Sequence, residues 1–228
     1  MMNLSKEQLA RMIDISAVKA DSSVEEVESI VKAAKTYRFI CVFTLPSLAQ
    51  YAKECLVEET GIDLGGVVGF PSGGSTTTVK SFEAEELLRI GCNELDMVIN
   101  IGKLKSGLYK EVTEDISKIV DIAGDIPVKA ILEVSLLKDS EIKDGAKIIR
   151  DSGAQFVKTG TGWLGATSFD HIKLIKEAVG ESIKLKVAGG VRNLDVLLKM
   201  YEIGVTRFGI GHLSAINIMG ELIRNDKG

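Results

Sequence analysis

Two lysines and an aspartate carry the chemistry that is most readable in this sequence. Lys158 closes a short apolar run, Phe156-Val157, which breaks at once into Thr159-Gly-Thr-Gly162. Such a run reads as a buried strand that stops at the lysine. An amine at that tip has its stem in apolar packing, and desolvation disfavours its charged form, leaving a usable nucleophile. Lys186, within Lys184-Leu-Lys-Val-Ala188, falls toward the same end of the following strand. Asp96 sits among Leu95, Met97 and Val98, where a carboxylate is costly to bury without a partner. Adjacent strands lie about 4.8 Å apart, so the two amines can approach closely and each makes the other harder to protonate. A neutral amine, a cation beside it and a carboxylate to move protons are what covalent imine chemistry requires. Singly, each residue has a plainer reading: a strand-end lysine that snorkels to water, or an aspartate in a structural ion pair. Their convergence is what points to catalysis.

Something must bring them together. From Ile13 onward, short apolar runs alternate with segments of helical period, as βα units do. The pattern predicts eight strands: Ile13 to Ala17, Phe39 to Phe43, Leu64 to Phe70, Glu94 to Asn100, Val128 to Val134, Gln155 to Lys158, Lys184 to Ala188, and Thr206 to Ile210. Glycines 61, 91, 124, 153, 180 and 204 fall at or just after expected helix ends. Asp21-Ser22-Ser23 and Ser140-Glu141 supply helix-start oxygens. The strands are rich in Val, Ile and Leu, which favours a parallel sheet covered on both faces. Eight such units in one chain predict an α/β fold of the closed (β/α)₈ TIM-barrel type, a single domain over residues 1–228. An open doubly wound sheet with extra units is the alternative.

In a barrel the carboxyl ends of all strands share one mouth. That adds Asp14, on the parity of Ser16, to the three residues above. It also adds two glycine clusters, Gly189-Gly190 after the seventh strand and Gly209-Ile-Gly211 after the eighth, the second leading into His212 and a helical stretch from Leu213 to Ile223. Exposed amides before a helix bind anions, and barrels commonly hold phosphate there. Gly69-Phe-Pro-Ser-Gly-Gly-Ser75 is either another anion loop or, the stronger reading, a turn-rich lid. Lys129 and Glu133 share a parity, and the sequence leaves open whether they pair or line the site. His171 reads as a solvated helix residue.

The totals narrow the classes. With 228 residues, 45% hydrophobic and 26% charged, the chain can bury a large core. A net charge of −4 with dispersed basic residues gives no nucleic-acid footprint. No apolar stretch approaches the ~20 residues of a membrane span, and Met1 to Leu9 lacks the apolar core of a signal peptide. Cys41, Cys55 and Cys92, odd in number and widely spaced, fit reduced thiols rather than disulfides or a zinc site. A soluble, cytoplasmic protein is expected, with neither nucleic acid nor membrane as a partner.

These residues resemble the 2-deoxyribose-5-phosphate aldolase family of class I aldolases. The resemblance runs along essentially the whole chain and is most specific at Phe156-Val-Lys-Thr-Gly-Thr-Gly162, Glu94-Leu-Asp-Met-Val-Ile-Asn-Ile-Gly102 and Lys186-Val-Ala-Gly-Gly-Val-Arg192. It implies that Lys158 forms the imine, that Lys186 is its charged neighbour, and that Asp96 belongs to the proton relay. Asp14 falls on a family active-site aspartate, and Gly189, Gly190 and Gly209 on phosphate positions. It also implies a sugar phosphate or aldehyde substrate, no metal or other cofactor, and a homodimer or larger homo-oligomer. The departures gather where substrate is held: Asp14-Ile15-Ser16 for the usual Asp-His-Thr, Thr44-Leu45-Pro46 without the expected asparagine, Val134 for a threonine, Gly160 for a serine, and Gly211-His212 for adjacent serines. Losing two hydroxyl donors weakens phosphate binding unless His212 or Ser214 replaces them. A related Schiff-base aldolase acting on another aldehyde, and a sugar-phosphate-binding barrel without turnover, therefore stay open beside the leading reading.

Overall fold

Strand formation follows the apolar runs, and the strands close on themselves. A computed structural model describes residues 4–225. Among them, β1 (Ile13–Ala17), β2 (Cys41–Thr44), β3 (Asp63–Val68), β4 (Glu94–Val98), β5 (Val128–Ile131), β6 (Phe156–Lys158), β7 (Lys184–Ala188) and β8 (Arg207–Gly211) pair in parallel, each with the next, and β8 pairs back onto β1. The helices between them, α2 (Val24–Tyr37), α3 (Pro46–Cys55), α4 (Thr77–Ile90), α5 (Ile101–Lys105), α6 (Tyr109–Ala123), α7 (Asp139–Asp151), α8 (Phe169–Val179) and α9 (Leu194–Glu202), surround the barrel; α1 (Lys6–Ala10) precedes it and α10 (His212–Asn225) completes the ring. This is the expected (β/α)₈ architecture. No described helix is long and apolar enough to cross a membrane.

Two-residue alternation divides each strand between two environments. Outward residues such as Leu95, Met97, Val157, Leu185 and Val187 join the helices' apolar stripes, for example Ile142, Ala146 and Ile149 of α7, in one continuous core. Inward residues form a separate, smaller apolar patch of Cys41, Phe43 and Val67. Much of the rest of the interior is charged, where barrels of this type usually stack aliphatic layers. Gly65 makes room for this arrangement: a Cβ there would stand 2.3 Å from the Phe43 ring on the neighbouring strand.

Several expected boundaries move. The fourth and fifth strands end early, at Val98 and Ile131: Asn100 turns out of the sheet and its side chain caps α5 through the Lys103 N–H, while Glu133 adopts left-handed backbone (φ 57°) ahead of a 3₁₀ turn. β2 starts and ends later than expected, at Cys41 and Thr44, and β3 stops at Val68. β8 runs through Gly211, so Gly209 and Gly211 lie within the strand rather than after it, and α10 begins directly at His212. The start of α7 is capped by Glu141, which accepts the Lys138 N–H at 2.8 Å; Ser140 lies inside the helix. All six glycines expected at helix ends have positive φ.

Candidate active site

Register decides which inward side chains meet. Lys158 pairs with Lys186 across β6 and β7, Asp96 with Lys129 across β4 and β5, and Asp14 with Gly209 where the barrel closes. All of them point inward. The Nζ atoms of Lys158 and Lys186 therefore converge on one oxygen, Asp96 Oδ2, at 2.8 and 2.6 Å. Lys186 also lies 2.6 Å from Asp14 Oδ2. The face of Phe43 covers the Lys186 ammonium, 4.1 Å from the ring centroid.

Burial is the first cause of the unusual Lys158 amine: it pushes the pKa down to about 8, with the Asp96 carboxylate pulling it back up and the Lys186 charge pushing it further down. At pH 7 roughly one molecule in ten then carries a neutral amine, against fewer than one in a thousand for an ordinary lysine. Desolvation thus outranks the neighbouring cation. Asp96 is moved oppositely: burial favours its acid form, but Lys158, Lys186 and Lys129 together hold its carboxyl well below the usual range.

The interior contains a charged group that strand patterns did not single out, and it joins others that they did. Arg207, on β8, donates from Nε to Asp14 Oδ1 at 2.7 Å and from Nη2 to both Glu94 oxygens at 2.7 and 2.8 Å. Lys129 pairs with Glu94 at 2.5 Å and approaches Asp96 Oδ1 at 3.3 Å. The Lys129–Glu133 pair left open by the sequence does not form. Glu133 instead accepts the Thr161 N–H at 3.0 Å and its hydroxyl at 2.5 Å, tying the end of β5 to the loop after Lys158. That loop is fixed again by Thr159 and Thr167, whose hydroxyls meet at 2.7 Å over the Ala188 carbonyl.

Above these groups opens a cavity of about 660 Å³ at the carboxyl ends of the strands. Lys158, Lys186, Asp96, Asp14, Gly189, Gly190, Gly209, Gly211 and His212 all line it. Every site residue expected from sequence is therefore gathered at one mouth. Gly189 (φ 89°) could not be replaced without strain, and a Cβ there would stand 2.6 Å from the Gly165 carbonyl oxygen. Beside Gly211 no atom of the described residues other than its chain neighbours lies within 4 Å of where a Cβ would be, so that corner is open. Lys19 and Arg192 bring positive charge to the rim. Trp163 closes one side: its indole N–H donates to the Val18 carbonyl at 3.0 Å and its ring meets Phe70 edge-on, 5.6 Å between centroids. The lid expected near Gly69 thus contributes Phe70 to the wall. His171 is a capping residue of α8, its Nδ1 accepting the Ser168 N–H at 3.2 Å.

Asp14, Cys41 and Glu94 place ligand-type atoms within 4.8 Å of one another. Their two carboxylates are already bridged by Arg207, and burial first, then Glu94 and Asp14, pushes the Cys41 thiol well above its ordinary range, which keeps it protonated. The donor set is one that a guanidinium satisfies.

A buried, partly neutral amine beside a shared carboxylate, below a cavity large enough for a small sugar, is equipped for imine formation. Comparison with known proteins agrees. Residues 8–218 match the model of the DeoC/LacD family aldolases. The chain belongs to that family. This aldolase is 43% identical over 219 residues to a deoxyribose-phosphate aldolase of Rhizobium meliloti (strain 1021), covering 95% of the chain and 88% of the relative. Among solved structures it resembles the aldolase QR15 (31% identity, TM-score 0.89, 100% and 99% coverage) and a tetrameric deoxyribose phosphate aldolase from Aeropyrum pernix (28%, 0.86, 96% and 92%). The enzyme is thus a carbon–carbon lyase of the aldolase type.

Proposed function

We propose that this aldolase reversibly cleaves 2-deoxy-D-ribose 5-phosphate to D-glyceraldehyde 3-phosphate and acetaldehyde, with Lys158 as the imine-forming lysine. The observation that carries the reading is the Lys158 amine, buried at the cavity floor and joined to Lys186 through one Asp96 oxygen. The neutral amine adds to the C1 carbonyl; loss of water from the carbinolamine gives a protonated imine. Asp96, working with Lys186, takes the proton of the C3 hydroxyl. The C2–C3 bond then breaks, its electron pair passing into the imine to give an enamine, while C3 becomes the aldehyde of the departing triose phosphate. Return of a proton to the enamine carbon and addition of water release acetaldehyde and restore Lys158. The protonated imine is the electron sink, so the scheme calls on no metal or other cofactor. Asp14 holds Lys186 in place from the other side.

Gly189, Gly190, Gly209 and Gly211 offer backbone to the phosphate, with His212 beside them, and anchoring that group fixes C1 over Lys158. The open corner at Gly211 and the neighbouring imidazole favour a second reading, in which the preferred aldehyde is different or unphosphorylated. A coupled assay separates the two. Deoxyribose 5-phosphate is expected to exceed free deoxyribose in kcat/KM by roughly 100-fold or more, about 2.7 kcal/mol of anchoring; equal or reversed rates support the second reading. Acetaldehyde with borohydride is expected to leave an irreversible mass gain on Lys158. Ordinary sugar-phosphate binding without that adduct overturns the catalytic reading in favour of a binder.

Lys186→Leu removes a cation near Lys158 and leaves Asp96 to pair with it, and both changes favour the protonated amine. The acid limb of imine formation is expected to move up by about one pH unit; an unmoved limb shows that the two amines are uncoupled. The free thiols suit a reducing compartment, and we place the enzyme in the cytoplasm, as a homo-oligomer like its tetrameric relative.

A further inference from the structure

The ion pairs inside the barrel form a closed circuit. Going round it, Asp14 meets Lys186 (2.6 Å), Lys186 meets Asp96 (2.6 Å), Asp96 meets Lys129 (3.3 Å), Lys129 meets Glu94 (2.5 Å), Glu94 meets Arg207 (2.7 Å), and Arg207 returns to Asp14 (2.7 Å). Each carboxylate lies between two cations and each cation between two carboxylates. Three negative and three positive charges balance, and all six residues are 7% exposed or less. Lys158 is attached to this ring at Asp96 alone. Among the described residues, a protonated Lys158 is therefore the one unmatched cation joined to it, in surroundings where the net charge of a cluster is felt strongly because water is excluded.

We propose that, beyond the effect of burial, the balance of the whole ring, and not Lys186 alone, tunes the protonation of Lys158, so that Glu94, Lys129 and Arg207 are positioning residues for a nucleophile they do not touch. The far half of the ring fixes how much positive charge Asp96 has left to offset. Phe43 reinforces it by covering Lys186 at 4.1 Å and Lys129 at 5.0 Å. The other titratable groups around the interior stand outside the circuit. Glu133, beyond β5, is held by Thr161; Cys41 of β2 stays a thiol; Asp63 is half-buried where β3 begins, and Lys184 is exposed where β7 begins. On the cavity side, Lys19, Glu26, Arg192 and His212 lie in the wall above.

This inference rests on Lys158 being the imine-forming residue and makes a prediction whose sign depends on charge. Glu94→Gln removes a negative charge from the ring and is expected to move the acid limb of borohydride-trapped imine formation with acetaldehyde down by roughly one pH unit. Lys129→Met removes a positive charge and is expected to move it up by a similar amount. The double variant Glu94→Gln/Lys129→Met, balanced again, is expected to return to the wild-type limb. Should Lys129→Met not fold, Arg207→Gln makes the same change of charge at another position and carries the same expectation; Asp14→Asn stands in likewise for Glu94→Gln. Shifts in one common direction, or none, in variants whose circular dichroism is native overturn the proposal, because a purely structural defect has no reason to follow the sign of the charge. Failure of the wild type to trap at all overturns instead the assignment of Lys158 as the nucleophile.

Discussion

Lys158→Leu is expected to lower turnover by about four orders of magnitude or more and to abolish borohydride trapping, since among the described residues no other group at the cavity floor is placed to supply the electron pair that forms the imine. Lys186 is the nearest substitute, but its amine is held between Asp14 and Asp96 and covered by the Phe43 ring, so it is not free to reach a carbonyl. The same change should leave the barrel intact or make it more stable. Lys158 is the cation outside the balanced ring, and its depressed pKa means that folding opposes its charge by on the order of a few kcal/mol. The sign can be followed with pH. Between about 8 and the ordinary lysine value of 10.5, the unfolded chain keeps the proton while the folded chain has lost it, so stability rises with pH across that window. Urea melts of the wild type should show this rise, and the difference from Lys158→Leu isolates it from other titrations. Retained turnover refutes the nucleophile; a pH-independent difference refutes the depressed amine.

Asp96→Asn is expected to have the largest combined effect on stability and rate. Asp96 is fully buried, and its two oxygens face Lys129, Lys158 and Lys186. An amide of nearly the same shape leaves three cations facing one another, and breaking a buried pair in this way costs about 3–5 kcal/mol. Turnover should fall by roughly 10²- to 10⁴-fold from loss of the proton relay. Any residual imine formation should persist to lower pH than in the wild type, because the carboxylate that favours the protonated amine is gone. Chemical denaturation and the pH dependence of trapping measure both consequences. A variant with wild-type stability and turnover would show that Asp96 neither balances the lysines nor moves the proton.

The strand-and-helix alternation, the closed eightfold architecture and the approximate strand positions were legible in the sequence, because apolar period and glycine punctuation are local properties. The choice of Lys158, Lys186 and Asp96 was legible for a related reason: a charged residue inside an apolar strand is expensive, so it announces a partner. Strand ends were less so. Asn100 and Glu133 continue the alternation on paper, but the chain leaves the sheet before them, Asn100 to cap a helix and Glu133 to hold Thr161.

What only tertiary structure decided is the pairing among the charges. Arg207 in a strand looks like any solvent-facing arginine until the closure of β8 onto β1 carries it to Asp14, 193 residues earlier. Glu94 and Lys129 were visible as residues, yet nothing local says that they complete a circuit with Arg207, or that Lys129 turns away from Glu133. The sequence by itself determined which strand residues share a face, since alternation along a strand needs only the neighbouring residues. Which inward charges touch depends on the stagger between strands and on the closing seam, quantities set by the packing of the complete barrel and encoded at no single position.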